Sequence, residues 1–75
     1  MNYDDIVSVL GFAGDNDHLV RIRTTAKLEV IGTPTTVDTH IAAHEVYLRP
    51  TGAEETEIAV SLAAIESVEL VGIRG

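Results

Sequence analysis

The stretch from Glu57 to Val71, EIAVSLAAIESVELV, decides the fold class of this 75-residue chain. Its apolar residues first alternate with polar or small ones, which is the pattern of a half-buried strand. The alternation breaks at Ala63-Ala64-Ile65-Glu66 and restarts at Val68. We therefore predict a strand, a single 3₁₀-like turn and a second short strand. The side chain of Ile65 is predicted to fill the space between the two strands. Many small closed β-barrels finish in this way.

Residues 2–12, NYDDIVSVLGF, carry the signals of a helix start. Asn2 can cap the amino terminus, and the acidic residues after it would lie in the first turn, near the positive end of the helix dipole. Gly11 or Gly14 can end the helix. Because β-branched valines fit strands better than helices, a hairpin that turns at residues 14–17 stays open as the alternative. We predict the helix.

Two strands follow the helix in the predicted order. Residues 19–24 alternate clearly, with their branched apolar residues facing inward. After a short turn at Thr25-Ala26, a second strand begins at Leu28. Pro34 has no amide hydrogen, so this strand bends or ends there, or lies at an edge of the sheet.

The middle of the chain is less regular. Residues 35–44, TTVDTHIAAH, fit a strand tail followed by a connection around residues 41–43. Alternation resumes at residues 46–48, which predict a third strand. Pro50-Thr51-Gly52-Ala53 predicts a turn into the closing pair of strands.

These elements predict one mostly β domain over residues 1–75. An N-terminal helix is followed by a five-stranded, strongly bent antiparallel sheet that closes into a small barrel. The inward-facing apolar side chains form the predicted core. That core is Ile6, Leu10, Val20, Ile22, Leu28, Val30, Val46, Leu48, Ile58, Val60, Leu62, Ile65, Val68 and Leu70.

Three segments resemble the Sm-like family of SH3-like small barrels. Residues 17–32, DHLVRIRTTAKLEVIG, look like the first two strands of that family, and residues 37–48, VDTHIAAHEVYL, look like a stretched third-strand entry. Residues 58–70, IAVSLAAIESVEL, look like its final pair of strands. The element order is also similar to that of the bacterial Rho-inhibitor (Rof) family, divergent members of the Sm fold. The resemblance covers nearly the whole chain as a pattern and implies the same helix-capped barrel.

The uridine-binding residues of the Sm-like family do not carry over to this chain. That family relies on an asparagine just after the apolar residue of its third-strand entry, and on an Arg-Gly pair between its fourth and fifth strands. Here Ala42 follows Ile41, and the final turn reads Leu62-Ala63-Ala64. The Arg74-Gly75 pair comes after the last predicted strand and does not substitute for it. The resemblance therefore implies the fold and not the RNA pocket.

The charge balance is strongly acidic. The chain has twelve Asp and Glu residues but only five Lys and Arg residues, so its formal net charge is −7. Lys27 is the sole lysine. This composition resembles that of haloarchaeal proteins, with an ordinary acidic mesophilic protein as the alternative. The net charge disfavours nonspecific phosphate binding. Without cysteines or an apolar run of roughly 18 residues, the sequence predicts a cytoplasmic protein that does not bind membranes.

We expect the chain to be partly unfolded in dilute buffer and to gain structure toward molar chloride or sulfate. At about 1 M salt the Debye length falls to about 3 Å, so repulsion among the carboxylates is screened. Sulfate also strengthens apolar burial, because it is excluded from protein surfaces. Circular dichroism across a salt series measures the change. Full order below about 50 mM salt, with no dependence on salt, would contradict a halophilic origin.

The candidate binding residues are Arg21, Arg23, Lys27 and Tyr47. The two arginines alternate on one strand, so both point to its outer face, and Lys27 follows just past the turn. These three residues, the basic strip, could meet a phosphate or an acidic partner, or pair locally with Glu29 or another cross-strand carboxylate. Tyr47 either faces outward as an interface anchor or packs under the helix.

No sequence motif predicts catalysis or a cofactor. His40 and His44 stand four residues apart beside two carboxylates, so a shared metal ion is one interpretation. Two solvated loop histidines that respond to pH near 6.5 are the simpler one, and no metal site is predicted. The chain has no cysteine, no Gly-x-Ser-x-Gly context and no phosphate-binding glycine loop. We therefore expect that it is not an enzyme and holds no cofactor.

Two functions of different classes are compatible with the sequence. The first is a noncatalytic protein-interaction or regulatory module, which presents a sheet edge or the basic strip to a protein partner or to its own copies. The second is an Sm-like nucleic-acid-binding regulator without the usual uridine pocket. The first is favoured, because an RNA site needs stacking aromatics or polar base readers beside its cations, and the basic strip lacks them.

Self-association is expected at the strand over residues 57–62. This segment has no proline or lysine to block pairing with another strand. Sm-like proteins form rings by pairing edge strands between subunits, and the resemblance suggests the same edge here. Repulsion among Glu54, Glu55 and Glu57 would oppose such pairing except at high salt. The prediction is a homo-oligomer, most simply a homodimer, that is tighter in molar salt.

Overall fold

The structure, a computed structural model, describes residues 1–72. Its elements follow the predicted order, so the molecule is mostly β with one N-terminal helix. They are α1 Tyr3–Asp15, β1 Val20–Thr24, β2 Glu29–Asp38, β3 Glu45–Pro50, β4 Ile58–Ser61, the 3₁₀ turn Leu62–Ala64 and β5 Ile65–Leu70. The Arg74-Gly75 pair lies outside the described residues. Within residues 1–72, no helix is long and apolar enough to cross a membrane.

The start of α1 agrees with the sequence. The side-chain oxygen of Asn2 accepts a hydrogen bond from the Asp5 amide at 2.8 Å, so the predicted cap is confirmed. The buried face of the helix carries Ile6, Leu10 and Ala13. The helix prediction is therefore correct, and the hairpin alternative is wrong.

The end of α1 differs from the sequence prediction. The helix continues past both Gly11 and Gly14, so neither glycine stops it. Asn16 ends it instead, because its backbone amide and its side-chain amide both donate to the Phe12 carbonyl, at 3.0 and 2.8 Å. A side-chain donor to the last free carbonyls replaces the glycine signal here.

The five strands form one antiparallel sheet in the order β4-β3-β2-β1-β5. The two outermost strands, β4 and β5, are consecutive in the chain and joined by the three residues of the 3₁₀ turn. In a flat sheet of this order the outer strands would lie about 19 Å apart. The link from Ser61 to Ile65 reaches at most roughly 15 Å. The sheet must therefore curl strongly.

Hydrogen bonds hold the 3₁₀ turn to both sides of the curled sheet. The Leu62 amide donates to the His44 carbonyl at the start of β3, at 3.0 Å, and the Thr25 amide at the end of β1 donates to the Ala64 carbonyl at 2.9 Å. The predicted 3₁₀ corner is confirmed. Within residues 1–72, β4 and β5 form no ladder with each other. The sheet is thus open between them, and its closure into a barrel stays a prediction.

The central strand β2 runs through its proline. It pairs with β1 on one side and β3 on the other, so the predictions that it ends or lies at an edge at Pro34 are wrong. The register of the β2–β3 ladder shifts between Pro34 and Thr36. Such a bulge accommodates a residue without an amide hydrogen and bends the strand, which agrees with the third alternative.

The core lies between α1 and the inner face of the sheet. Most of its members were predicted, and Ala13 and the fully buried Pro34 join them. Three further predicted members pack against the core but are only partly buried, namely Val30, Ile58 and Val60. The fully or almost fully buried apolar residues are Ile6, Leu10, Ala13, Val20, Ile22, Pro34, Val46, Leu48, Leu62, Ile65 and Val68.

Two predicted core residues are exposed. Leu28 closes the β1–β2 turn, where its amide donates to the Thr24 hydroxyl at 3.2 Å and its carbonyl accepts from the Thr24 amide at 2.9 Å. These bonds hold the backbone in the turn and leave the Leu28 side chain 65% exposed. Leu70 ends β5, an outer strand without a neighbour beyond it in the described sheet, and is 43% exposed.

Candidate protein-interaction site

The basic strip lies on the outer face of the sheet. Arg21 and Arg23 alternate along β1 with buried residues, so both point away from the core, as predicted. They line a shallow cleft of about 320 Å³ together with Ser67, Val68 and Glu69 of β5. Strand pairing explains the neighbours, because Arg21 pairs with Glu69 and Arg23 with Ser67.

Carboxylates neutralise the two arginines. Arg21 forms an ion pair with Glu69, and its Nε also lies 3.8 Å from Glu29 Oε1. Arg23 donates to Glu29 Oε2 at 2.9 Å. This hydrogen bond lowers the pKa of Glu29 and raises the pKa of Arg23. The local-pairing interpretation of the arginines is therefore the one that the structure shows.

Lys27 completes the strip in the same way, with Nζ 3.5 Å from Glu66 Oε2. Each basic residue of the strip thus has at least one carboxylate within ion-pair distance. All of these side chains are substantially exposed, so each pair contributes little to stability. A phosphate would have to compete with the carboxylates for the same cations.

Tyr47 lies apart from the basic strip. It sits on β3 between the buried residues Val46 and Leu48, so it faces outward rather than under the helix. It pairs with Thr36, whereas Arg21 pairs with Ile31. Five positions along β2 correspond to roughly 16 Å. The structure therefore does not bring the four predicted binding residues into one site.

The hydroxyl of Tyr47 is already engaged. It donates to Glu45 Oε1 at 2.5 Å, and this bond raises the pKa of Tyr47. An interface anchor at this position would keep that intramolecular bond and offer the face of its ring.

The two histidines of the β2–β3 loop have different contacts. The His44 ring stacks on the Tyr3 ring with centroids 5.2 Å apart and planes 7° apart. The His40 amide donates to Asp38 Oδ1 at 3.0 Å. Within residues 1–72, no three His, Cys, Asp or Glu side chains form a group that could hold a metal ion.

One amide on the outer edge of β5 is bonded to the first residue of the chain. The Val71 amide donates to the Leu19 carbonyl at 3.0 Å, which fixes the residues of β5 that bond to β1. Bonded and non-bonded pairs alternate along an antiparallel ladder. The amide of Val68, which pairs with Ile22, therefore points away from β1. It donates to the thioether sulfur of Met1 at 3.3 Å.

The outer edge of β4 is open. The Leu62–His44 bond continues the β3–β4 ladder, and it fixes the alternation there. The backbone N–H and C=O groups of Ala59 and Ser61 therefore point away from β3. Within the described part of the chain no strand pairs with this side of β4, whose residues, Ile58–Ser61, carry no charge. Unpaired backbone groups on an uncharged strand form a template for another strand.

The glutamates before β4 do not cover this edge. Glu57 Oε2 lies 2.7 Å from the hydroxyl of Thr35, a β2 residue that β3 separates from β4. The Glu57 side chain thus reaches inward over the sheet. Glu54 accepts a hydrogen bond from the Gly52 amide at 3.0 Å, which lowers the pKa of Glu54. These contacts fix the positions of two of the three carboxylates that were predicted to repel one another, and the sequence gives no signal of them.

No protein-family model, curated protein or solved structure matches this chain.

Proposed function

We propose that this protein is a small noncatalytic interaction module that binds protein partners by adding a strand to the outer edge of β4. The observation that carries the proposal is the difference between the two outer strands. Within residues 1–72, Ala59 and Ser61 present unpaired backbone groups on an uncharged strand. On β5, which carries Glu66 and Glu69, the outward amide of Val68 is bonded to Met1. Strand addition obtains its affinity from such main-chain groups.

We also propose that the protein has the fold of an Sm-like small barrel. The helix before five strands and the 3₁₀ corner between β4 and β5 support it. We further propose that the protein works in a halophilic cytoplasm. The net charge of −7 and the near absence of lysine support this proposal.

Nucleic-acid binding through the basic strip is the second candidate. The cleft beside Arg21 and Arg23 favours it, because both side chains are substantially exposed. The paired carboxylates weigh against it, and the outward-facing aromatic ring of Tyr47 lies too far along the sheet to stack a base over the cleft.

Affinity capture from a high-salt lysate of the source cells tests the two candidates against each other. The baits are the wild type, Ala59→Pro and the double variant Arg21→Gln/Arg23→Gln, each checked for folding by circular dichroism. Ala59→Pro removes an amide that points to solvent, so it blocks strand addition without breaking the β3–β4 ladder. We expect this variant to lose the captured protein and the arginine variant to keep it. The proposal is contradicted if Ala59→Pro captures the same proteins as the wild type, or if only the arginine variant loses a bound nucleic acid.

A further inference from the structure

We infer that the strand received by β4 is β4 of a second copy of this chain, paired antiparallel about a two-fold axis through Val60. The inference rests on the proposed function, since it names the partner of the same edge. A two-fold contact requires a surface that is complementary to itself. The outer edge of β4 meets this requirement in its backbone groups, its side chains and its charges.

The backbone groups define the register. The outward-pointing residues of β4 are Ala59 and Ser61, and Val60 lies midway between them. With the axis at Val60, Ala59 of each copy pairs with Ser61 of the partner copy. Two residues in a bonded antiparallel pair exchange both N–H···O bonds. Every outward N–H and C=O of these two residues is then satisfied on both copies.

The side chains agree with this register. On the outer face it places Ala59 against the partner's Ser61, two small uncharged residues. On the inner face it places Val60 against the partner's Val60, and Ile58 against the partner's Leu62. Ile58 and Val60 are only partly buried at the open edge, although they pack against the core. Pairing covers these two side chains, and cross-strand contacts between β-branched residues are favourable.

Other arrangements fit less well. A register centred on Ala59 pairs Ser61 with the partner's Glu57, which lies outside β4 and whose carboxylate is bonded to Thr35. Pairing of β4 with β5 of another copy requires Met1 to leave the Val68 amide. The symmetric β4 contact displaces no hydrogen bond among residues 1–72. Because each copy contributes one short strand, the interface lies at the small end of the range, and the dimer is expected to be weak.

Disulfide trapping tests the partner and the register together, and the chain has no native cysteine to interfere. The single variants Ala59→Cys and Ser61→Cys are oxidised at near-millimolar protein and molar salt, separately and as an equal mixture. In the inferred register positions 59 and 61 of opposite copies have Cα atoms about 5.5 Å apart, within disulfide range. Identical positions lie on a diagonal at roughly 7–8 Å, beyond that range. The mixture should therefore give severalfold more disulfide-linked heterodimer, identified by mass, than either variant alone gives homodimer.

Each other outcome overturns the inference in a distinct way. Efficient self-linking of Ala59→Cys places the axis at Ala59. A further mixture combines Ala59→Cys with Ser67→Cys on the outer face of β5, and linking in that mixture indicates pairing of β4 with β5. No trapping in any sample, together with a monomer mass of the wild type by light scattering, excludes a second copy as the partner. In that last case the proposed function stands if Ala59→Pro still loses the captured protein, so the two failures are distinguishable.

Discussion

Ile65→Ala is expected to lower the free energy of unfolding by about 2–5 kcal/mol. Ile65 is 6% exposed and begins β5 directly after the 3₁₀ turn, where it pairs with Thr24 of β1. Truncation leaves a cavity at the corner that holds β4 and β5 together, and the bonded backbone around it limits collapse. A domain of this length has a total stability of roughly 4–11 kcal/mol. Urea unfolding followed by circular dichroism, at a salt concentration where the wild type is folded, measures the loss.

Leu28→Ala is the matched control for this variant. It removes the same kind of apolar side chain from a position that was also predicted to be buried but is 65% exposed. Its unfolding free energy should stay within about 0.5 kcal/mol of the wild type. Melting of Ile65→Ala within a degree or two of the wild type would show that Ile65 does not close the corner.

Gly32→Ala should destabilise the protein by about 1–3 kcal/mol or more, because a methyl group has no room there. A Cβ at Gly32 would lie 2.5 Å from the Arg49 carbonyl oxygen and 3.1 Å from Leu48 Cδ1. The carbonyl belongs to β3, which is hydrogen-bonded to β2 on one side and to β4 on the other. It cannot retreat without distorting the sheet. Thermal and urea unfolding both report the effect.

Gly11→Ala is the control for the glycine substitution. Gly11 lies inside α1, and a Cβ there meets nothing within 4 Å. Replacing a mid-helix glycine by alanine should stabilise the protein by about 0.5–1 kcal/mol. The two substitutions therefore have opposite predicted signs. A Gly32→Ala variant as stable as the wild type would contradict the close approach of β2 to β3.

Local patterns were sufficient for most of the fold. The Asn2 side chain indicates a helix start by itself. At residues 63–66 the alternation of apolar and polar residues stops, which indicates the 3₁₀ turn. The failures lie where a particular hydrogen bond or strand pairing overrides the alternating pattern. Leu28 continues an alternating run, yet two bonds to Thr24 turn it outward. Pro34 is a strand breaker in isolation, and a bulge against β3 accommodates it.

The sequence predicts only part of the candidate site, again because particular contacts decide the rest. The outward arginines follow from strand alternation, and their pairing with Glu29 was one of the two interpretations considered. The difference between the outer strands depends on contacts between distant residues. Met1 and Val68 are 67 positions apart, and Thr35 and Glu57 are 22 apart. No pattern in a single sequence reports such contacts.

Amide hydrogen exchange at β4 tests most directly the claim that its outer edge is open. The experiment uses protein dilute enough for light scattering to give a monomer mass. The amides of Ala59 and Ser61 should then exchange rapidly, whereas the amide of Val60, which pairs with Val46 of β3, should exchange far more slowly. Equal protection of all three amides in the monomer would contradict the account, because it would mean that another part of the same chain already covers this edge.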